Sequence, residues 1–288
     1  MKKFIILITL IISCTISPVF AAPQESMESK SLDEHYDEAI EHVIEVALSQ
    51  EGYLEKRTNA NLYDFTANAG SANYTKFAKD LADCNFYDGN LNGYAWCDMF
   101  VDWCFVSAFG VADAKAITYQ NPYGSAGCSV SAGFFKTVER FYKTPQPGDQ
   151  IFFGGSHTGL VYKVDGNTVY TIEGNTSSER GVVANGGAVR KKSYSLNSGR
   201  ISGYGRPNYS LIAQKRKAEH DEWIRQENAR LLLAYKQEKR DRLNNMLLNP
   251  ELLTSMENYT KTKEEKINEN YITGPFLMPY QRYENIVA

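Results

Sequence analysis

Histidine and cysteine are both scarce in this chain: 288 residues hold four of the first and five of the second. No two cysteines have the C-x-x-C spacing of a thiolate zinc site, and so few histidines cannot replace them. Cys14 lies in the N-terminal leader. Cys84, Cys97, Cys104 and Cys128 remain, too thin a set over this length for a dense disulfide framework. Net charge is also small, at −3, which argues against wholesale nucleic-acid binding. The apolar run from Phe4 to Ile12 is too short for a membrane span.

What the leader has is the pattern of an export signal. Lys2 and Lys3 precede the apolar run, and Val19-Phe20-Ala21 offers a cleavage site. Cleavage after Ala21, making 1–21 a signal peptide, gives a secreted or cell-wall-associated protein. In the competing reading, "IISC" is a lipobox and Cys14 carries a lipid anchor, the one route to a membrane.

Hydrophobic content of 43% is enough for a sizeable core. Ala39, Ile40, Val43, Ile44, Ala47 and Leu48 recur at helical spacing over 37–50, and Gly52 fits the end of that helix. "TNANLYDFTANAGSANYT" at 58–75 reads as a long irregular loop. "TKFAKDLADCNF" predicts a short helix, and a third follows the turn "YDGNLNG". Beyond Pro147 short strands take over: "DQIFFGG", "HTGLVYKV", "NTVYTIEGN" and "GRISGYGRP". Helices first and strands afterwards imply an α+β fold over 37–208. From 209 the chain turns charged, helix-prone and free of Gly and Pro up to Asn249-Pro250. Residues 209–288 therefore read as a helical extension with a loosely ordered end. Its irregular apolar positions leave open a partner helix, docking on the domain, or a solvated face.

"GYAWCDMFVDWCF", 93–105, places Cys97 and Cys104 seven residues apart. Cys104 shares an apolar helix face with Phe100, Val101, Phe105 and Ala108 and reads as a small core hydrophobe. Cys97 falls at the helix start, where unpaired N–H groups and the helix dipole favour a thiolate; a second buried thiol is the competing reading. No other thiol is expected at a helix start after a glycine turn. Histidine breaks the tie. His35 and His42 lie near the mature N-terminus and His220 in the extension, whereas His157 opens a strand in "GGSHTGLVY" between Gly155 and Gly159. Downstream, Glu173 and Asn175 in "YTIEGN" are two apart and share a strand face. A three-residue loop, Val164 to Gly166, would pair Lys163 with Asn167 and set His157 opposite Glu173 on one face. An Asp-Gly loop of two would put them on opposite faces. Glu173 or Asn175 could then fix the His157 tautomer so that the other nitrogen faces Cys97.

"GYAWCDMFVDW", "PGDQIFF…HTGLVY" and "YTIEGN" resemble the CHAP domain, the cysteine- and histidine-dependent amidohydrolases and peptidases of bacterial cell walls. The likeness covers about residues 40 to 208. It implies a papain-like fold with Cys97 as nucleophile, His157 as base, Glu173 as orienting acid and Asn175 as polar supporter. It also implies a peptidoglycan peptide as substrate, cut at an amide bond by an amidase or endopeptidase. A catalytically silent wall-binding protein, or an interaction protein working through its helical tail, are the competing functions. Tyr94 and Trp96 flank the nucleophile as candidates for lining the cleft, with core packing the competing role for Trp96.

No cofactor is expected. "DGNLNG", Asp88 to Gly93, fits the opening of a calcium loop, and the resembled family includes calcium binders at this place. Met99, however, stands where a bidentate glutamate belongs. Cys84 and Cys128 are the pair considered for a disulfide.

Overall fold

A computed structural model describes residues 29–177 and 187–248. The leader with Cys14, and everything after Leu248, lie outside the described residues. The chain divides into two compact units, one comprising Ser29–Trp223 and the other holding the residues from Ile224 onward.

Five helices come first in the Ser29–Trp223 unit. α1 (Leu32–Leu48) begins at a capping box in which Ser31 and Glu34 satisfy each other's backbone N–H groups. α2 (Lys76–Asp83) is capped by Thr75. α3 (Cys97–Phe109), α4 (Val111–Thr118) and α5 (Cys128–Thr137) follow. Sequence patterning predicts no element over 110–146, so α4, α5 and a two-residue strand at Phe141–Tyr142 are additions.

The strands are β1 (Phe141–Tyr142), β2 (Gln150–Phe153), β3 (His157–Asp165), β4 (Thr168–Thr176), β5 (Ala188–Ser195) and β6 (Gly203–Gly205). They form one antiparallel sheet in the order β1-β6-β2-β3-β4-β5. This is the α+β arrangement expected. The 40-residue α6 (Tyr209–Leu248) follows. Among the described residues no helix is long and apolar enough to cross a membrane.

The main core packs α1, α2 and α3 on the sheet. Val43, Ala47, Phe77, Trp96, Phe100, Phe105, Leu160 and Ile172 are all buried there. Gly174 makes the helix-on-sheet approach close. A Cβ on it would stand 2.5 Å from Phe100 Cβ and 2.8 Å from Trp96, a separation no side chain tolerates. Trp96 is thus core, and its indole N–H donates to the buried Glu55 carboxylate at 2.8 Å. Tyr94 is exposed.

The first turns of α6 belong to this same unit. Tyr209 and Ile212 are core residues, and the Tyr209 hydroxyl donates to the Gly148 carbonyl at 2.7 Å. In the other unit, the helix from Ile224 carries ion pairs one turn apart, Arg230 with Glu227 and Arg242 with Glu238. Leu233, Leu243, Leu247 and Leu248 are exposed along it.

Candidate active site

Cys97 is the first residue of α3. Trp96 occupies the cap position without giving a side-chain hydrogen bond, so the first N–H groups of the helix stay open. The backbone N–H of Asp98 is turned to the Cys97 sulfur. A thiolate at such a place gains from both the dipole and the donors.

His157 opens β3, and Glu173 lies on β4. His157 Nε2 and Glu173 Oε2 are 2.9 Å apart, both side chains buried. A carboxylate can only accept, so Nε2 carries the hydrogen and donates it. Nδ1 is then the nitrogen left to act as base, and it has no partner among the described residues. The other Glu173 oxygen accepts from Thr171 Oγ1 at 2.5 Å and from the Tyr194 hydroxyl at 2.9 Å. Phe153 stacks on the His157 ring at 5.8 Å and leans on Tyr194 at 4.8 Å. The ring is therefore held at its edge by Glu173 and across its face by Phe153.

The hairpin that brings this pair together is not the one expected. Asp165 pairs with Thr168, leaving Gly166-Asn167 as a two-residue loop, and Lys163 pairs with Tyr170, not Asn167. On that register His157 and Glu173 would face opposite sides of the sheet. The register shifts by one between Lys163 and Val161, however, so that Val161 pairs with Thr171 and Leu160 with Ile172. This bulge at Tyr162 returns the two side chains to one face. Glu173 then reaches His157 across Gly159, where a Cβ would be 2.5 Å from Glu173 Cγ.

Asn175 stands apart. A second bulge separates Glu173 from Thr176, and Asn175 takes a left-handed φ of 50°. Its Oδ1 lies against Gly187 and has no hydrogen-bond partner among the described residues. The structure brings Cys97, His157 and Glu173 together and does not join Asn175 to them by a hydrogen bond.

Charge couples the thiol to the ring. The Cys128 thiol and the His157 side chain hold Cys97 well below the ordinary thiol range despite its burial. Burial opposes a proton on His157, but Cys97 and Glu173 outweigh it and raise the ring to about 9. The resting pair is thus drawn towards thiolate and imidazolium.

Three parts of this site left no mark in the sequence pattern. Tyr194 lies on β5, an edge strand that sequence patterning had passed over. Asp98, fully buried, accepts from Ser131 Oγ at 2.7 Å and from Gln150 Nε2 at 2.9 Å, tying α3 to α5 and β2. Cys128 is the third. It is the first residue of α5, directly after Gly127, and its sulfur is 3.5 Å from that of Cys97. The expectation that no second thiol stands at a helix start after glycine is therefore corrected. Cys128 also lies against Cys97, not Cys84, and all four described cysteines are free. Cys104 is a core residue, as its helix face implied.

In the "DGNLNG" turn, Asn92 is engaged with the α2 cap: its Oδ1 accepts from the Thr75 N–H at 2.9 Å. Among the described residues no three acidic, cysteine or histidine side chains gather where they could hold a metal.

Residues 89–175 match the CHAP domain family. Comparison with curated proteins and with solved structures gives no match. The CHAP segment contains Cys97, Cys128, His157 and Glu173, and stops before Tyr194. With it comes the amide-bond hydrolase chemistry of that domain. α1, α2, β5 and β6 lie outside the matched segment yet pack into the same unit.

Proposed function

We propose that this protein is a secreted hydrolase that cleaves amide bonds of peptidoglycan with Cys97 as its nucleophile. The observation that carries the reading is the buried Glu173–His157 pair with Cys97 beside it, the thiol at an open helix start, inside the CHAP segment.

His157 Nδ1 holds the proton taken from Cys97, and the thiolate attacks the carbonyl carbon of the scissile amide. The carbonyl oxygen becomes an oxyanion beside the uncapped N–H groups of α3. Imidazolium at His157 then protonates the departing amine. Water, deprotonated by the now neutral ring, releases the acyl group from the sulfur. Glu173 takes no proton: it fixes the tautomer and steadies the imidazolium, while Thr171 and Tyr194 hold its second oxygen.

The test is to incubate purified wall or muropeptides with wild type and with Cys97→Ala and to count new amino groups. Wild type should release them, and Cys97→Ala and His157→Ala should fall to background while remaining folded. Wild-type turnover by folded Cys97→Ala would remove Cys97 from the mechanism. Mass spectrometry of the released fragments identifies the bond, muramoyl-to-alanine or inside the peptide. The absence of any hydrolysis by wild type would favour a silent wall-binding role.

A further inference from the structure

We propose that Cys97 and Cys128 are a reversible disulfide pair, with Cys128 the resolving thiol that closes onto the nucleophile when a small-molecule disulfide reaches the site. The loss of activity this entails rests on reading Cys97 as the nucleophile; the pairing itself does not.

Three independent features place the pair. The two sulfurs are in contact at 3.5 Å, and closing to a bond of about 2.05 Å needs a further approach of only about 1.5 Å. Each cysteine is the first residue of its helix, α3 or α5, and neither helix has a side-chain cap. Two sets of open N–H groups and two positive dipole ends thus converge on one pair of sulfurs, and each favours a thiolate. The other described cysteines, Cys84 and Cys104, have no such neighbour. Cys104 is sealed in the main core, and Cys84 ends α2 with its sulfur on the Leu81 carbonyl. Both cysteines of the pair are buried, and on the α5 side the next two residues, Ser129 and Val130, are exposed.

The exchange balances without any group from the protein beyond the two thiols. The Cys97 thiolate attacks one sulfur of an oxidant RSSR, forming Cys97–S–S–R and releasing RS⁻. Cys128 loses its proton and attacks the Cys97 sulfur. The Cys97–Cys128 bond forms, the mixed disulfide breaks, and a second RS⁻ leaves. The two thiol protons end on two RSH, and two electrons pass from the protein to the oxidant. The order of attack follows from charge. With Cys97 as the thiolate, Cys128 is the thiol that donates to it, and that neighbour and burial hold Cys128 well above the ordinary thiol range. Once Cys97 is in a mixed disulfide, its negative charge is gone and the α5 dipole is free to favour a Cys128 thiolate.

Full-length protein is incubated with graded ratios of reduced to oxidised glutathione, quenched with an alkylating agent and mapped by mass spectrometry. The expected product lacks two hydrogens, carries no glutathione and yields one cross-linked peptide joining Cys97 to Cys128. Cys128→Ser should instead retain glutathione on Cys97. Glutathione left on wild-type Cys97, or a cross-link involving Cys84 or Cys104, would overturn the proposal, as would a protein that stays fully reduced. The wild-type map decides the matter even if the variant fails to fold. Hydrolysis is read on the same samples, and should fall to background with the cross-link and return with dithiothreitol. If the cross-link forms and hydrolysis does not change, the pairing stands and the nucleophile assignment fails.

Discussion

His157 Nε2 lies 2.9 Å from Glu173 Oε2 only because β3 carries one extra residue at Tyr162. A two-residue turn at Gly166-Asn167 sets a register in which the two side chains would point away from each other; the bulge reverses the parity for the half of the hairpin that bears the site. The carboxylate then crosses a glycine to meet the ring. The His157 ring is therefore oriented by backbone irregularity as much as by its partner.

Gly159→Ala tests that route. The new methyl would stand 2.5 Å from Glu173 Cγ and 3.0 Å from the Ile172 carbonyl oxygen, so the glutamate must swing off the histidine. Overpacking of this kind costs about 1–3 kcal/mol, read as a lower Tm. Loss of the oriented base should lower kcat by about 10²-fold or more. Adding Glu173→Gln should cause little further loss, because both changes break one interaction. Unchanged kcat in the folded Gly159→Ala protein would show that Glu173 does not need this path.

The pH dependence separates the two partners of the pair. Cys97 is held well below the ordinary thiol range, and His157 is raised to about 9. Iodoacetamide should therefore alkylate Cys97 at a near-constant rate through neutral pH and faster than Cys104, which burial pushes well above the thiol range. Hydrolysis should fall as the pH rises through about 9, where His157 gives up the proton needed by the leaving amine, while alkylation should not fall there. Glu173→Gln removes a group that raises the ring, so the alkaline limb of kcat/KM should move to lower pH. A limb that stays in place would mean that Glu173 does not act through His157.

The sequence pattern singled out Cys97, His157 and Glu173 through residue types, because one histidine in strand country and one thiol at a helix start narrow the options. It placed His157 and Glu173 on one face through the wrong loop. Turn chemistry at "KVDGN" allows several registers, and nothing local marks Tyr162 as unpaired. β5 escaped because it is an edge strand: after Ala188 and Val189 its residues are alternately half-buried and exposed, and Arg190, Lys191 and Lys192 replace the apolar alternation. Cys128 escaped because Sγ contact between residues 31 apart is a product of tertiary packing, which periodicity does not record.

Asp98→Asn probes the joint between α3, α5 and β2. An amide cannot accept from both Ser131 and Gln150 as the carboxylate does, so one donor is left unsatisfied at a cost of about 1–3 kcal/mol. Wild type carries an opposing cost that depends on pH. Burial and the neighbouring Cys97 raise the Asp98 carboxyl to about 7. The folded state therefore holds a proton that the unfolded chain has released above its ordinary value of 3.8. Stability from this group is present below that value and is lost as pH rises through about 7. The Tm advantage of wild type over Asp98→Asn should thus shrink from about pH 4 to about pH 7. A constant difference would place the titration elsewhere.

The start of α6 decides where the Ser29–Trp223 unit can be cut. Tyr209 is buried with its ring edge-on to Tyr36 and Phe109, centroids 6.1 and 6.3 Å away, and its hydroxyl closes on the Gly148 carbonyl. Ile212 and Ala213 are buried behind it, and Arg216 donates to His42 Nδ1 on α1 at 2.9 Å. A chain ending at Asn208 loses all of these; removal of one large core side chain alone costs about 3–5 kcal/mol. A chain ending at Trp223 keeps them. The chain ending at Trp223 should unfold cooperatively near the wild-type Tm and still hydrolyse a small soluble muropeptide. The shorter one should be destabilised by several kcal/mol and bind a dye for exposed apolar surface. Activity lost by the Trp223-ended chain while it remains folded would mean that residues beyond 223 contribute to hydrolysis.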